Sequence, residues 1–178
     1  MSSDGPTLVL MAGLPGAGKN TLALALGRAL GWPVVDKDIF DAVARTAGVT
    51  PVSPVALAYD LAFALLKDRL IEQRLSVILD CPAVLPDPVE RGAQLAQQAG
   101  ARFGIIRCYA SQAVRNERMA RTMPPSSRAW RHPARRRPSD VAGDGQEHFG
   151  QLPADTVQVD TTRPQVALIA EVLAHLHA

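Results

Sequence analysis

Residues 7–21 read TLVLMAGLPGAGKNT and join an apolar run to a stretch with helical periodicity. The apolar run Thr7–Ala12 is typical of a buried strand, and apolar residues recur at helical spacing from Lys19 to Leu30. Glycines at positions 13, 16 and 18 let the intervening backbone curl, so that successive N–H groups and the positive end of the helix face one concavity. The pattern Gly-x-x-x-x-Gly-Lys between a strand and a helix therefore predicts a phosphate-binding loop.

Every residue of this loop is a candidate contact for a bound nucleotide, and Lys19 is expected to reach the β- and γ-phosphates. The set comprises Gly13, Leu14, Pro15, Gly16, Ala17, Gly18, Lys19, Asn20 and Thr21. Position 20 departs from the usual pattern, in which a Ser or Thr hydroxyl binds Mg²⁺. The side-chain carbonyl of Asn20 is a candidate magnesium ligand, although its longer side chain places the oxygen differently.

Strand-like and helix-like stretches alternate along the rest of the chain, which predicts βαβ units and a mostly parallel sheet covered on both faces. The predicted strands are Thr7–Ala12, Trp32–Asp36, Ser76–Asp80, Phe103–Tyr109 and Thr156–Asp160. The predicted helices are Lys19–Leu30, Asp38–Ala47, Val55–Arg74, Pro88–Gly100, Ser111 to about Thr122, and Pro164–His177.

Length and composition favour one globular domain over residues 1–178. The 178 residues are 47% hydrophobic and 20% charged, and no apolar run approaches the roughly 18–20 residues that span a bilayer. Cys81 and Cys108 lie in apolar runs, which suits buried thiols in a reducing compartment. We therefore expect a cytoplasmic protein without a membrane segment.

A basic segment, Arg115–Arg137, carries eight arginines and one acidic residue. Such an excess of positive charge favours an anionic partner, which could be nucleotide phosphate, nucleic acid or an acidic protein, over a merely solvated loop. Much of it falls in a stretch without periodicity, at about residues 122–150, which we interpret as an arginine-rich lid inserted into the domain.

Three aspartates stand at or just beyond predicted strand ends, where the carboxyl ends of parallel strands open into one crevice. A carboxylate there can accept the proton of an attacking hydroxyl, which makes Asp38 a candidate catalytic base; alternatively, Asp38 caps the helix that follows. A helix cap and a catalytic base could both be present, with Asp36 as the cap and Asp38 as the base. Asp80 is a candidate ligand of magnesium or of substrate, or it binds a turn before Pro82.

The phosphate loop, the strand ends Asp36-Lys-Asp38 and Ile78-Leu-Asp80, the helix segment Glu117-Arg-Met-Ala-Arg121 and the late Asp160-Thr-Thr162 together resemble small P-loop kinases. Over roughly residues 7–176 the chain looks closest to polynucleotide 5′-kinases, zeta-toxin-like kinases and chloramphenicol phosphotransferase. The resemblance implies a three-layer α/β fold with a five-stranded parallel sheet in the order 2-3-1-4-5. It also implies ATP and Mg²⁺, with transfer of the γ-phosphate to a hydroxyl.

The resemblance also implies roles for individual residues. Catalytic roles fall to Lys19, Asp38 and Arg121; adenine contacts to Arg118 and Thr162; substrate contacts to Asp36, Asp38, Asp80 and Arg128; and metal contacts to Asn20 and Asp80. The choice among Arg115, Arg121 and Arg128 as the phosphate-binding arginine stays open.

Two departures from the family pattern bear on the acceptor. Asp41 stands where polynucleotide kinases carry an arginine, and no arginine follows Asp80 as it does in adenylate kinases. These features favour a small, non-phosphorylated acceptor such as an antibiotic or a nucleoside-like alcohol, with nucleic acid possible but not favoured. The alternatives are a nucleoside, nucleotide or polynucleotide 5′-kinase and, in another class, a nucleotide-binding switch or slow ATPase, for which Asn20 is the best support.

Overall fold

A computed structural model of the chain describes residues 5–48, 53–82, 86–121 and 152–176. The predicted lid insert, with Arg128, lies outside the described residues. None of the helices in the part of the chain that the structure describes has the length and apolar character needed to cross a bilayer.

Five parallel strands form one sheet in the order β2-β3-β1-β4-β5, which confirms the expected topology. The strands are β1 (Thr7–Ala12), β2 (Val34–Asp36), β3 (Val77–Asp80), β4 (Arg102–Tyr109) and β5 (Val157–Asp160). The central strand β1 is buried along its whole length, as expected when helices cover both faces of a parallel sheet. Because all strands run the same way, their carboxyl ends meet at one edge of the sheet.

Helices pack on both faces of the sheet. They are α1 (Lys19–Leu30), α2 (Lys37–Thr46), α3 (Pro54–Lys67), α4 (Pro86–Ala99), α5 (Gln112–Arg121) and α6 (Gln165–Leu176). Leu8 and Leu10 of β1 pack against α3 and α4, whereas Val9 and Met11 pack against α1 and α6. Successive side chains of a strand point to opposite faces, so the two cores are separated by the sheet. Helix α2 packs against α3.

Helix α3 was predicted to continue to Arg74, and this was wrong. The α-helix ends at Lys67 and a π-helical turn follows over Asp68–Glu72, with a hydrogen bond of 3.1 Å from the Gln73 amide to the Asp68 carbonyl. The Gln73 side chain also donates to the Asp68 carboxylate at 2.7 Å, which stabilises the wider turn. Arg74 then adopts a left-handed conformation with φ of 53°, which ends the helical segment before β3.

Candidate functional site

The phosphate loop, which follows β1, is held between the ends of the two strands that flank β1 in the sheet. The Gly13 amide donates to the Pro82 carbonyl at 3.1 Å, just beyond β3. Gly13 has φ of 145°, and a Cβ atom there would lie 2.4 Å from the carbonyl oxygen of Cys108 in β4. Only glycine allows the loop to approach β4 this closely. The loop is thereby fixed at the carboxyl edge of the sheet.

The N-terminus of α1 opens into the loop. Gly18 is the N-cap residue, has φ of 85° and offers no side chain to the first-turn amides. The Lys19 ammonium donates to the Leu14 carbonyl at 3.1 Å and so lies across the loop. Amides at a helix N-terminus, the helix dipole and an ammonium group together bind anions, phosphate above all. The geometry therefore fits the phosphate-binding loop predicted from the sequence.

The remaining loop residues differ in exposure. Leu14 and Ala17 are buried in the base of the loop, Pro15, Gly16 and Asn20 are half-buried, and Thr21 is exposed on α1. The side chains of Leu14 and Ala17 pack inside the protein, so these two residues would contact a ligand only through their backbone.

The thiol of Cys108 lies near the charged residues of the site. The pKa of Cys108 is raised to about 12: burial is the largest cause, the nearby Asp80 also raises the pKa, and the positive charges of Lys19 and Arg118 lower it. Burial dominates, so the thiol stays protonated at neutral pH. Within the described residues, Cys81 and Cys108 are both buried and form no disulfide, as the sequence predicted.

Arg118 on α5 connects the phosphate loop to the loop between β5 and α6. Its guanidinium donates to the Gly16 carbonyl at 3.3 Å, to the Thr161 hydroxyl at 2.8 Å and to the Thr161 carbonyl at 2.8 Å. The Thr161 amide in turn donates to the Tyr109 carbonyl at the end of β4, at 3.1 Å. The N–H groups of a guanidinium lie in its plane, so these contacts are made at the edge of the Arg118 guanidinium and fix the orientation of that plane.

Thr161 was not among the predicted site residues, although its neighbour Thr162 was. A Cβ atom at Gly18 would lie 3.1 Å from the Cβ of Thr161, so the two loops are in close contact. Thr162 is exposed, and its amide and hydroxyl donate to the Asp160 carboxylate at 3.0 and 2.8 Å. These bonds lower the pKa of Asp160. Chain position alone could not predict which of the two adjacent threonines would contact Arg118.

Two of the predicted aspartates lie side by side at the sheet edge. Asp36 and Asp80 are partners in the register of β2 and β3, and both are buried. Asp36 accepts from the Asp38 amide at 2.9 Å and so caps α2. Asp36 is therefore the cap, and Asp38 stands in the first turn of a helix that begins one residue earlier than predicted.

Asp36 also accepts from the Asn20 side-chain amide at 3.3 Å. This bond turns the NH₂ group of Asn20 toward the carboxylate, so its side-chain carbonyl is the oxygen that remains for a ligand. Together with the Asp36 and Asp80 carboxylates, the site offers hard oxygen donors, which is the chemistry that Mg²⁺ requires. Within residues 5–48, 53–82, 86–121 and 152–176, no cluster of three or more His, Cys, Asp or Glu residues could hold a metal by itself.

Asp38 is paired with its neighbour Lys37, which sequence analysis did not single out. The Lys37 ammonium lies 2.7 Å from Asp38 Oδ1 and 5.4 Å from the centre of the Tyr59 ring. Tyr59 on α3 is buried and hydrogen-bonded to Cys81. Burial, followed by the nearby groups Cys81, Asp38 and Asp87, raises the pKa of Tyr59 well above its ordinary value, so the phenol stays neutral.

The three arginines of α5 have different environments. Arg115 is buried behind the phosphate loop, and its carbonyl oxygen would lie 2.6 Å from a Cβ atom at Gly16. Arg118 bridges the two loops, as described above. Arg121 is exposed at the end of the helix and forms an ion pair with Glu117 at 2.6 Å. The spacing of these arginines alone did not predict which of them would be buried.

A family model described as an AAA domain matches residues 8–137. No curated protein sequence matches the chain. Among solved structures, the chain is similar to a proposed kinase of Chloroflexus aurantiacus, with 23% identity, a TM-score of 0.70, and 97% of this chain and 99% of that chain covered.

Two further solved structures have the same fold. A gluconokinase of Sinorhizobium meliloti 1021 is 21% identical with a TM-score of 0.61, and 98% of this chain and 93% of that chain are covered. The APS kinase CysC of Mycobacterium tuberculosis, in complex with AMPPNP and APS, is 17% identical with a TM-score of 0.68, and 98% of this chain and 99% of that chain are covered.

Proposed function

We propose that this chain, which belongs to the AAA domain family, is an ATP-dependent phosphotransferase that moves the γ-phosphate of ATP to a hydroxyl of a small molecule. The observation that carries the proposal is the placement of Asp38, in the first turn after β2, at the sheet edge that also holds the phosphate loop. Two of the similar structures, a gluconokinase and an APS kinase in complex with AMPPNP and APS, support it.

In the proposed reaction the loop amides and Lys19 hold the triphosphate of ATP. The acceptor oxygen forms a bond to the γ-phosphorus, the bond from that phosphorus to the β,γ-bridging oxygen breaks, and ADP leaves. Asp38 accepts the hydroxyl proton of the acceptor. Mg²⁺, when bound, neutralises charge on the phosphates, and Asn20 and Asp80 would hold it directly or through water.

Arginines of the basic segment would stabilise the transferring phosphoryl group. Arg121 at the end of α5 and Arg128 beyond it are the candidates. The exposure of Arg121, whose present partner is the surface residue Glu117, leaves it free to move toward a bound nucleotide. Exposed ion pairs of this kind are weak, so exchanging Glu117 for phosphate costs little.

On the nucleotide side, Arg118 is the candidate partner of the adenine ring. Its hydrogen bonds to Gly16 and Thr161 hold the guanidinium in one orientation, and a guanidinium face stacks well on a flat aromatic ring. The exposed Thr162 follows in the same loop and would line the base.

The acceptor is proposed to be uncharged, because Lys37, the buried cation of α2, is already paired with Asp38. The other cation of this helix, Arg45, lies in its last turn, away from Asp38, and pairs with Asp41 at 3.0 Å. An anionic acceptor such as a nucleotide or a nucleic-acid end would need an additional cation, whereas a neutral alcohol would not. If instead the acceptor is a polynucleotide, affinity for oligonucleotides should fall steeply with salt concentration.

A second candidate, a nucleotide-binding switch or slow ATPase, is favoured by one residue. Asn20 stands where the usual pattern has a Ser or Thr hydroxyl, and its longer side chain places the carbonyl oxygen differently, which weakens direct coordination of magnesium. Asn20→Ser is expected to lower the magnesium concentration needed for half-maximal turnover. An unchanged magnesium titration would mean that Asn20 takes no part in metal binding.

The test of the kinase proposal follows ADP release and acceptor phosphorylation by mass spectrometry against a panel of nucleosides, sugars and antibiotics. Turnover that rises with one acceptor is expected. Asp38→Asn should then lower kcat about 10²- to 10⁴-fold while ATP binding survives, and Asp41→Asn on the same helix is the matched control. Tight ATP binding without transfer to any acceptor would overturn the kinase proposal in favour of the switch.

A further inference from the structure

We propose that Lys37 is a positioning residue for Asp38: it holds one carboxylate oxygen so that the other is directed to the acceptor hydroxyl. The inference rests on the proposed function and adds a residue to that site. Lys37 is the first residue of α2, directly after the capping Asp36.

The first observation is the asymmetry of the ion pair. The side chain of Lys37 is 7% exposed, whereas that of Asp38 is 38% exposed, and the ammonium lies 2.7 Å from Oδ1. The buried partner therefore binds one oxygen of Asp38 from the protein side. Because a carboxylate has two oxygens, Oδ2 is left to accept a hydrogen bond from the solvent side, where an acceptor would bind.

Lys37 is itself positioned by a contact with the aromatic ring of Tyr59. Its ammonium lies 5.4 Å from the centre of the Tyr59 ring, a distance at which the ring attracts a cation. Tyr59 is hydrogen-bonded to Cys81, the residue that follows β3. Consecutive side-chain contacts thus connect the sheet edge, α3 and the first turn of α2. They run from Cys81 through Tyr59 and Lys37 to Asp38.

This arrangement has a chemical consequence for transfer. A carboxylate on the surface of a helix rotates among several conformers, but one bound to a buried cation keeps a single orientation. During transfer the acceptor oxygen bonds to the γ-phosphorus, the bond from that phosphorus to the β,γ-bridging oxygen breaks so that ADP leaves, and the acceptor proton passes to Oδ2 of Asp38. The Lys37 ammonium stays on Oδ1 and takes no part in the proton transfer.

The experiment is a double-mutant cycle on kcat with Lys37→Met, Asp38→Asn and the double variant, each purified as the full chain. We expect Lys37→Met to lower kcat about 10- to 100-fold, since a misplaced catalytic group has effects of that size. In the Asp38→Asn background the same substitution should change kcat less than about 2-fold, because residues that act as one unit are not additive. The dissociation constant of MgATP should change less than about 2-fold, because the Lys37 ammonium is paired with Asp38 in α2.

Arg45→Met is the matched control, because it removes the other cation–carboxylate pair of the same helix at an exposed position. It should leave kcat unchanged. If Lys37→Met does not unfold cooperatively, Lys37→Gln replaces it in the cycle, since a neutral donor of similar length preserves packing.

The inference would be overturned if Lys37→Met lowered kcat by the same factor in the unchanged chain and in the Asp38→Asn variant. It would also be overturned if the kcat of Lys37→Met equalled that of Arg45→Met. Where no panel acceptor is phosphorylated by the unchanged chain, the cycle is run on hydrolysis of MgATP, with water in place of the alcohol. The absence of phosphorylated acceptor then contradicts the proposed function, while the double-mutant cycle on MgATP hydrolysis separately tests the inference about Lys37.

Discussion

The contacts of Arg118 make it the residue whose loss should separate the phosphate loop from the β5–α6 loop. Arg118→Met keeps much of the side-chain length but removes the hydrogen bonds to Gly16 and to both oxygens of Thr161. Each such bond contributes about 0.5–1.5 kcal/mol net. Because the three acceptors lie in half-buried loops and can rehydrate in part, we expect a total loss of about 2–3 kcal/mol in unfolding free energy.

For a chain of this length, each kcal/mol corresponds to roughly 2–4 °C in Tm. Arg118→Met should therefore unfold about 4–12 °C lower than the unchanged protein in calorimetry, with a lower urea midpoint at an unchanged m-value. Its affinity for ATP should also fall, since the loop that holds the phosphates loses a support.

Arg121→Met provides the control one turn further along α5. Its ion pair with Glu117 is exposed, with 78% of the arginine side chain accessible, so that its removal should cost at most a few tenths of a kcal/mol. Equal urea midpoints for the Arg118 and Arg121 variants would refute the reasoning that the three hydrogen bonds connect the two loops.

Three further predictions follow from single contacts. Gly18→Ala should lower ATP affinity and stability together, because φ of 85° disfavours a side chain and the new Cβ would press on Thr161; an ATP dissociation constant like that of the unchanged protein would contradict this. Since the pKa of Cys108 is raised to about 12, iodoacetamide at pH 8 should alkylate it only after unfolding, which mass spectrometry of the folded and urea-unfolded protein checks. The pKa of Asp160 is lowered by its bonds to Thr162, so its charge stabilises the fold above the ordinary aspartate value of about 3.9, and this contribution is lost as pH falls through the lowered value. Urea melts of Asp160→Asn should consequently differ from those of the unchanged protein at pH 7 and converge with them in acid.

Local pattern was sufficient for the phosphate loop and for most helices and strands, because glycine spacing and apolar periodicity act within a few residues. The strand order was implied by family resemblance, and the structure confirms it. The end of α3 was mispredicted, since the apolar spacing continues through Leu70 while the backbone widens into a π-helical turn.

The placement of the candidate site residues could be predicted where residue type and chain position determine it, and could not be predicted where tertiary packing determines it. Asp36 and Asp80 could be found because they end strands. The burial of Lys37 depends on how α2 packs on α3, and a lysine between two aspartates is ordinarily exposed. Similarly, Thr161 contacts Gly18 only because of the path of the chain after β5, which no local pattern specifies.

The two hydrogen bonds of Asp36 have a thermodynamic consequence. One carboxylate oxygen accepts from the Asn20 side-chain amide beside the phosphate loop, and the other accepts from the Asp38 backbone amide in the first turn of α2, beside the proposed acceptor site. A ligand that displaces Asn20 would alter the environment of the carboxylate that caps α2, so binding at the two proposed sites would be energetically coupled. Coupling of this kind is reciprocal: by whatever factor bound nucleotide changes acceptor affinity, bound acceptor changes nucleotide affinity by the same factor.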